Sequence, residues 1–167
     1  MVIRPNRRNA MRLMTQGLAP KPFQPLFDLD DAELEARGIR RQFAPANPGI
    51  GYPCRVSLDF AQAGDELLLL NFRHLDKPGS PYRAEGPIFI RRDVEPYRGT
   101  GELPAIVMQR AMSVRAYDSS GMMVEADLAE KDELVQLLGT WLAREDVAHV
   151  DIHSLRRGCF FCRVVAG

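Results

Sequence analysis

Apolar side chains along this chain change their spacing several times, and each change marks an element. In the last third, Leu134, Leu138, Trp141 and Leu142 recur at a helical interval while Val135 and Leu137 widen the stripe. That spacing predicts one long helix from Lys131 to Arg144. Gly139 within it costs about 1 kcal/mol relative to alanine. Elsewhere the period is two. Cys54, Val56 and Leu58 alternate with Arg55, Ser57 and Asp59, as in a half-buried strand that turns Arg55 away from the core. Leu67 to Leu70 is apolar on both faces, which suits a central strand covered on each side and delivers Asn71, Arg73 and His74 to its exit. Pro87 to Arg91 adds a short strand. Met112 to Asp118 and Met122 to Leu128 flank Ser119-Ser120-Gly121, which predicts a hairpin. Its expected register sets Met112, Val114 and Ala116 opposite Leu128, Ala126 and Val124, and Arg115 opposite Glu125 as an ion pair. Val147 to Ser154 and Cys159 to Val165 complete the strands, joined by a turn at Arg156-Arg157-Gly158. Near the start, Asp30-Asp31-Ala32-Glu33 has the form of a capping box, Gly38 can end the short helix it opens, and Ile39 to Phe43 reads as a strand.

Short strands joined by hairpin-length loops, with only two helices, predict an α+β fold. The expected architecture is a mainly antiparallel twisted sheet of about seven short strands, packed by the long helix and the short N-terminal one. A length of 167 residues supports one domain, placed at residues 23–167. Residues 1–22 stand apart. Their only charged side chains are Arg4, Arg7, Arg8, Arg12 and Lys21, with prolines between them. This reads as a flexible basic tail, or as a start set upstream of Met11 or Met14. Lys plus Arg equals Asp plus Glu at 22 each, and the tail lacks interleaved aromatics, so nucleic-acid binding is disfavoured. No run approaches about 18 consecutive apolar residues and no signal-peptide core follows the arginines, so a cytoplasmic protein without a membrane partner is expected. The odd number of cysteines, Cys54, Cys159 and Cys162, argues for reduced thiols.

Candidate chemistry gathers between Gly51 and Arg91, where Pro53, Pro78, Pro81 and Pro87 restrain the backbone. Arg55, Arg73, Arg83, His74 and Tyr82 are expected to form a pocket for a carboxylate or phosphate at one end of the sheet, because guanidinium forks bind such anions in pairs and a phenol orients them. Arg55, Tyr82, Arg83 and His74 carry that expectation. For catalysis the candidates are His74 and His153 as acid or base and Cys54 as nucleophile, although the apolar face of a strand is where cysteine packs as filler. Cys159-Phe160-Phe161-Cys162 has redox and zinc spacing, but in a strand residues three apart point to opposite faces, and packing is favoured. His149, Asp151 and His153 share one strand face; a polar face exposed to solvent or covered by a loop is the favoured reading over a metal site. Neither metal nor cofactor is expected. The competing function is a noncatalytic interaction or scaffolding domain, a homodimer in which the same arginines and aromatics make a flat interface.

Several blocks then set the chain among known sequences. Pro48 to Leu58, the run Leu67 to His74, Ser80-Pro81-Tyr82-Arg83, Gly86-Pro87-Ile88-Phe89 and Gly158-Cys159-Phe160 together resemble a bacterial family, domain of unknown function 1203, from about Phe23 to the C-terminus. The resemblance implies a shared fold and pocket and supplies no chemistry. One departure is visible: the family's usual His-Asn-Ala stands here as His153-Ser154-Leu155.

Overall fold

A computed structural model describes residues 12–49 and 51–167. The fold is α+β with antiparallel pairing throughout its named strands, as expected, and among the described residues nine strands divide between two sheets rather than forming one of about seven. In chain order the strands are β1 (Leu13–Gln16), β2 (Arg40–Phe43), β3 (Glu66–Leu75), β4 (Ala84–Arg91), β5 (Arg98–Thr100), β6 (Met112–Tyr117), β7 (Met123–Ala129), β8 (His149–Ser154) and β9 (Phe160–Ala166). The helices are α1 (Asp31–Ala36), α2 (Ala105–Met108) and α3 (Lys131–Leu142), with a 3-10 turn at Gln24–Asp28. The large sheet runs β5-β1-β9-β8-β6-β7 and the small one β2-β3-β4.

Local chemistry accounts for most of these elements. Asp30 accepts from the Glu33 amide while Glu33 reaches back to the Asp30 amide, so the predicted capping box opens α1. The helical stripe of α3 buries Leu134, Leu138, Trp141 and Leu142 against Val114, Val150, Ile152 and Val164 of the large sheet. The four-leucine run lies in β3, central in the small sheet as predicted, where Leu68 and Leu70 join Ile88, Ile90, Phe23, Phe27 and Leu34 in a second core.

Three expectations need correction. The segment assigned to a basic tail contributes an interior strand: β1 pairs with β5 on one side and with β9 on the other, and only residues 1–11 of that tail lie outside the described residues. Cys54 to Leu58 is a run of turns rather than an alternating strand, joined to the small sheet by one isolated bridge from Cys54 to Phe89 and by packing of Cys54 and Val56 in its core, and Arg55 inside it is buried. The β6–β7 hairpin is displaced by one residue. Arg115 faces Ala126 and Ala116 faces Glu125, with an irregularity beside Tyr117. The Asp118 carboxylate accepts from the amides of Ser120 and Met122, which closes a longer turn than the predicted three-residue loop.

Candidate functional site

The chain has three histidines, His74, His149 and His153, and all three surround one buried carboxylate, Asp151. Alternation along β8 puts His149, Asp151 and His153 on the face opposite α3, and cross-strand pairing sets Arg115 and Arg163 on either side of Asp151. Arg163 grips both carboxylate oxygens, Nε at 2.7 Å and Nη2 at 2.9 Å. Its Nη2 also donates to the carbonyl of His74 at 2.9 Å, which ties the end of β3 to β9. Burial alone would raise the Asp151 pKa. The hydrogen bonds from Arg163 and the nearby positive charge outweigh burial and hold the carboxyl below its usual range.

Two bulges assemble the histidines. His74 falls in the irregularity at the end of the β3–β4 pairing, and its ring stacks on Phe160 at 5.0 Å and meets His153 edge-on at 4.9 Å. The β8–β9 irregularity beside Ile152 leaves Phe161 without a β8 partner. Phe160 thereby pairs with His153, while Phe161 stays in the α3 core. His153 Nδ1 lies 2.9 Å from the carbonyl of Gly158. A carbonyl only accepts, so Nδ1 carries the proton and Nε2 presents a lone pair. Burial above all pulls the pKa of both His149 and His153 down to about 4, aided at His149 by the Arg163 cation and opposed at His153 by the Gly158 carbonyl. Both rings are therefore neutral at physiological pH. His74 Nδ1 sits 3.8 Å from Asp151 Oδ2 and His149 Nε2 sits 3.9 Å from Oδ1, beyond hydrogen-bond length. These two atoms and His153 Nε2 are buried without a hydrogen-bond partner. Neutral imidazoles beside a carboxylate can accept protons or ligate a metal.

The polar face of β8 is thus neither solvent-exposed nor loop-covered, because the end of β3 seals it: His149 is 7% exposed and Asp151 and His153 are 0% exposed. The spacing of His149, Asp151 and His153 was visible in the sequence. Nothing local marked His74 as their neighbour.

The other predicted site residues do not meet around one cavity. Arg55 is internal: its Nε donates to the carbonyl of Phe160 at 2.6 Å, its Nη1 donates to the carbonyl of Pro53, and its guanidinium lies over the Phe161 ring at 4.5 Å. Burial pulls its pKa down to about 10, which leaves it charged at neutral pH. Arg83 is on the surface, paired with Asp76 at 2.8 Å. Tyr82 is half exposed and meets Tyr117 edge-on, and Tyr117 stacks on His149. Cys54 is fully buried, its Sγ accepting from the Arg91 amide at 3.3 Å, as filler would be. Cys162 is buried too, and burial pushes its thiol up to about 12.

Two of the surface clefts among the described residues are lined by arginines. One of about 300 Å³ is lined by Arg73, Arg83, Ala84 and Glu85, and its two guanidiniums are already paired with Asp76 and Glu85. The other, of about 410 Å³, lies where β6 begins and β8 ends, between Arg110 and Arg156, with Gln109 and Ser154 on its walls. Arg110 packs over the Phe60 ring at 5.6 Å, and its Nη2 is buried without a hydrogen-bond partner. Neither Arg110 nor Arg156 has a carboxylate within 4.0 Å among the described residues. Sequence reasoning missed both as site residues; the one available signal was the Arg156-Arg157 pair in a turn without a neighbouring acid.

No helix among the described residues is long and apolar enough to cross a membrane. Searches of curated proteins and of solved structures found no match to this chain. The family model described as "Protein of unknown function (DUF1203)" matches residues 51–165, a span that holds His74, Asp151, His153, Arg110 and Arg156, and the chain belongs to that family.

Proposed function

We propose that this protein binds a small anionic ligand, a carboxylate or phosphate, in the cleft between Arg110 and Arg156 at one end of the large sheet. The observation that carries the reading is the buried, unpartnered Nη2 of Arg110 beside a cleft whose guanidiniums have no carboxylate to neutralise them. A buried donor without an acceptor costs about 1–3 kcal/mol, more when charged, and an oxyanion met by a turn of the Arg110 side chain from Phe60 toward the cleft would recover that cost. The cleft at Arg73 and Arg83 is the weaker host, since an incoming anion there must displace Asp76 and Glu85. This reading keeps the anionic ligand and the sheet-end cleft expected from the sequence and assigns them to different arginines. Reduced Cys54, Cys159 and Cys162 fit a reducing compartment such as the bacterial cytoplasm.

Titration calorimetry at low ionic strength with phosphate, sulfate and succinate provides the test. At least one of these anions is expected to bind, and Arg110→Ala and Arg156→Ala are each expected to weaken it about tenfold or more, the loss typical of one charge-assisted hydrogen bond. Binding that survives Arg110→Ala unchanged, or no binding of any of the three, overturns the reading.

A further inference from the structure

The buried cluster shares none of that cleft's lining residues and carries an inference of its own. We propose that His74 Nδ1, His153 Nε2 and the carboxylate of Asp151 form a binding site for one divalent transition-metal ion of the zinc, cobalt, nickel or iron(II) class. Each of the three residues offers one ligand atom within 4.8 Å of those of the other two, and His74 Nδ1 stands 3.8 Å from Asp151 Oδ2. Ligands on a tetrahedral ion with bonds of about 2.1 Å stand roughly 3.4 Å apart, so a metal would draw the two rings inward rather than require the strands to move. Both nitrogens are buried and lack a hydrogen-bond partner, a costly state for two polar atoms in one enclosure. The Gly158 carbonyl fixes the His153 tautomer with its Nε2 lone pair free, as the outer partner of a ligating histidine does. Two imidazoles and one carboxylate favour borderline metals over magnesium or calcium, which prefer oxygen. Three protein ligands also leave a coordination position for water or a small anion.

The opposing charges are plain. Arg163 holds both oxygens of Asp151, so the ion must share the carboxylate with a guanidinium, and Arg115 pairs with Asp151 across the strand. Arg163 is 36% exposed at its side chain, so solvent screens part of its charge. His149 faces the same carboxylate from 3.9 Å and adds no charge while neutral. The site is therefore expected to bind more weakly than an all-histidine site without a neighbouring cation.

The test uses the full chain, dialysed against a chelator and titrated with Zn²⁺ by calorimetry and with Co²⁺ by visible absorption. The expected result is one equivalent bound, with Co²⁺ d–d bands of four- or five-coordinate intensity. His74→Gln is expected to weaken Co²⁺ binding at least tenfold, and Cys159→Ser, the half-buried thiol, to leave it unchanged. No d–d bands, binding that persists in His74→Gln, or binding abolished by Cys159→Ser overturns the proposal. Where His74→Gln does not fold, the wild-type protein decides by NMR: Co²⁺ must broaden the ring resonances of His74 and His153, and broadening confined to other residues overturns the assignment.

Discussion

Replacing Arg55 by methionine strips donors from two carbonyls, those of Phe160 and Pro53, and leaves the apolar stem among buried neighbours. The expected loss is about 2–3 kcal/mol in chemical denaturation, since buried acceptors without partners carry their desolvation cost. Anion affinity in the folded variant is expected to match wild type, because Arg55 holds backbone rather than ligand. The alternation from Cys54 to Leu58 pointed the other way. Leu58 adopts a φ of 49° and the run bends through turns, so Arg55 ends inside together with Cys54, Val56 and Leu58. His149, Asp151 and His153 mark the opposite case. Their shared face was legible from period two alone, because β8 is a regular strand, but what covers that face depends on His74, which arrives from another sheet.

At the level of elements, α1, α3 and the central strand of the small sheet were readable because each states its own rule: a 3.6-residue stripe in α3, a reciprocal cap in α1, an apolar run in β3, whereas the single turn of α2, without a side-chain cap, went unread. The hairpin register was not, because the Asp118 side chain organises the turn and shifts β7 by one residue. The shift sends Glu125 to Arg144, after α3, at 2.9 Å instead of to Arg115, and leaves Arg115 beside Asp151. The exit of β1 makes a sharper demand. A Cβ at Gly17 would lie 1.7 Å from the carbonyl oxygen of Val56, where the chain crosses the turns that carry Arg55. Gly17→Ala is therefore expected to destabilise the protein by about 3 kcal/mol, well beyond an ordinary surface glycine substitution, as read by urea denaturation. A midpoint within error of wild type would refute a close crossing at this position.

For the whole molecule, the two sheets meet across a polar layer instead of a purely apolar one, and that layer makes the assembly sensitive to acid. His149 and His153 titrate near 4 when folded and near 6.5 when free, so the unfolded chain binds more protons between those values. Their contribution is complete above about pH 6.5 and declines as the pH falls toward 4, with up to two protons taken up on unfolding. Melting temperatures measured from pH 7.5 to 4 are expected to be flat in the upper part and to fall in the lower, and His149→Gln is expected to flatten the fall. Asp151, held below its usual range, adds its own loss only in stronger acid. No local sequence pattern announces this layer, since the division of nine strands into two sheets is decided by pairings between distant segments.

Residues 13–16 and 160–166 are neighbours in the middle of the large sheet, with Leu13 opposite Ala166. A ribosome delivering this polypeptide exposes β1 long before β9, so the nascent strand has at most β5 beside it and its inner edge stays open until β9 follows. Loss of β1 would cut β5 off from the other four strands instead of trimming a border.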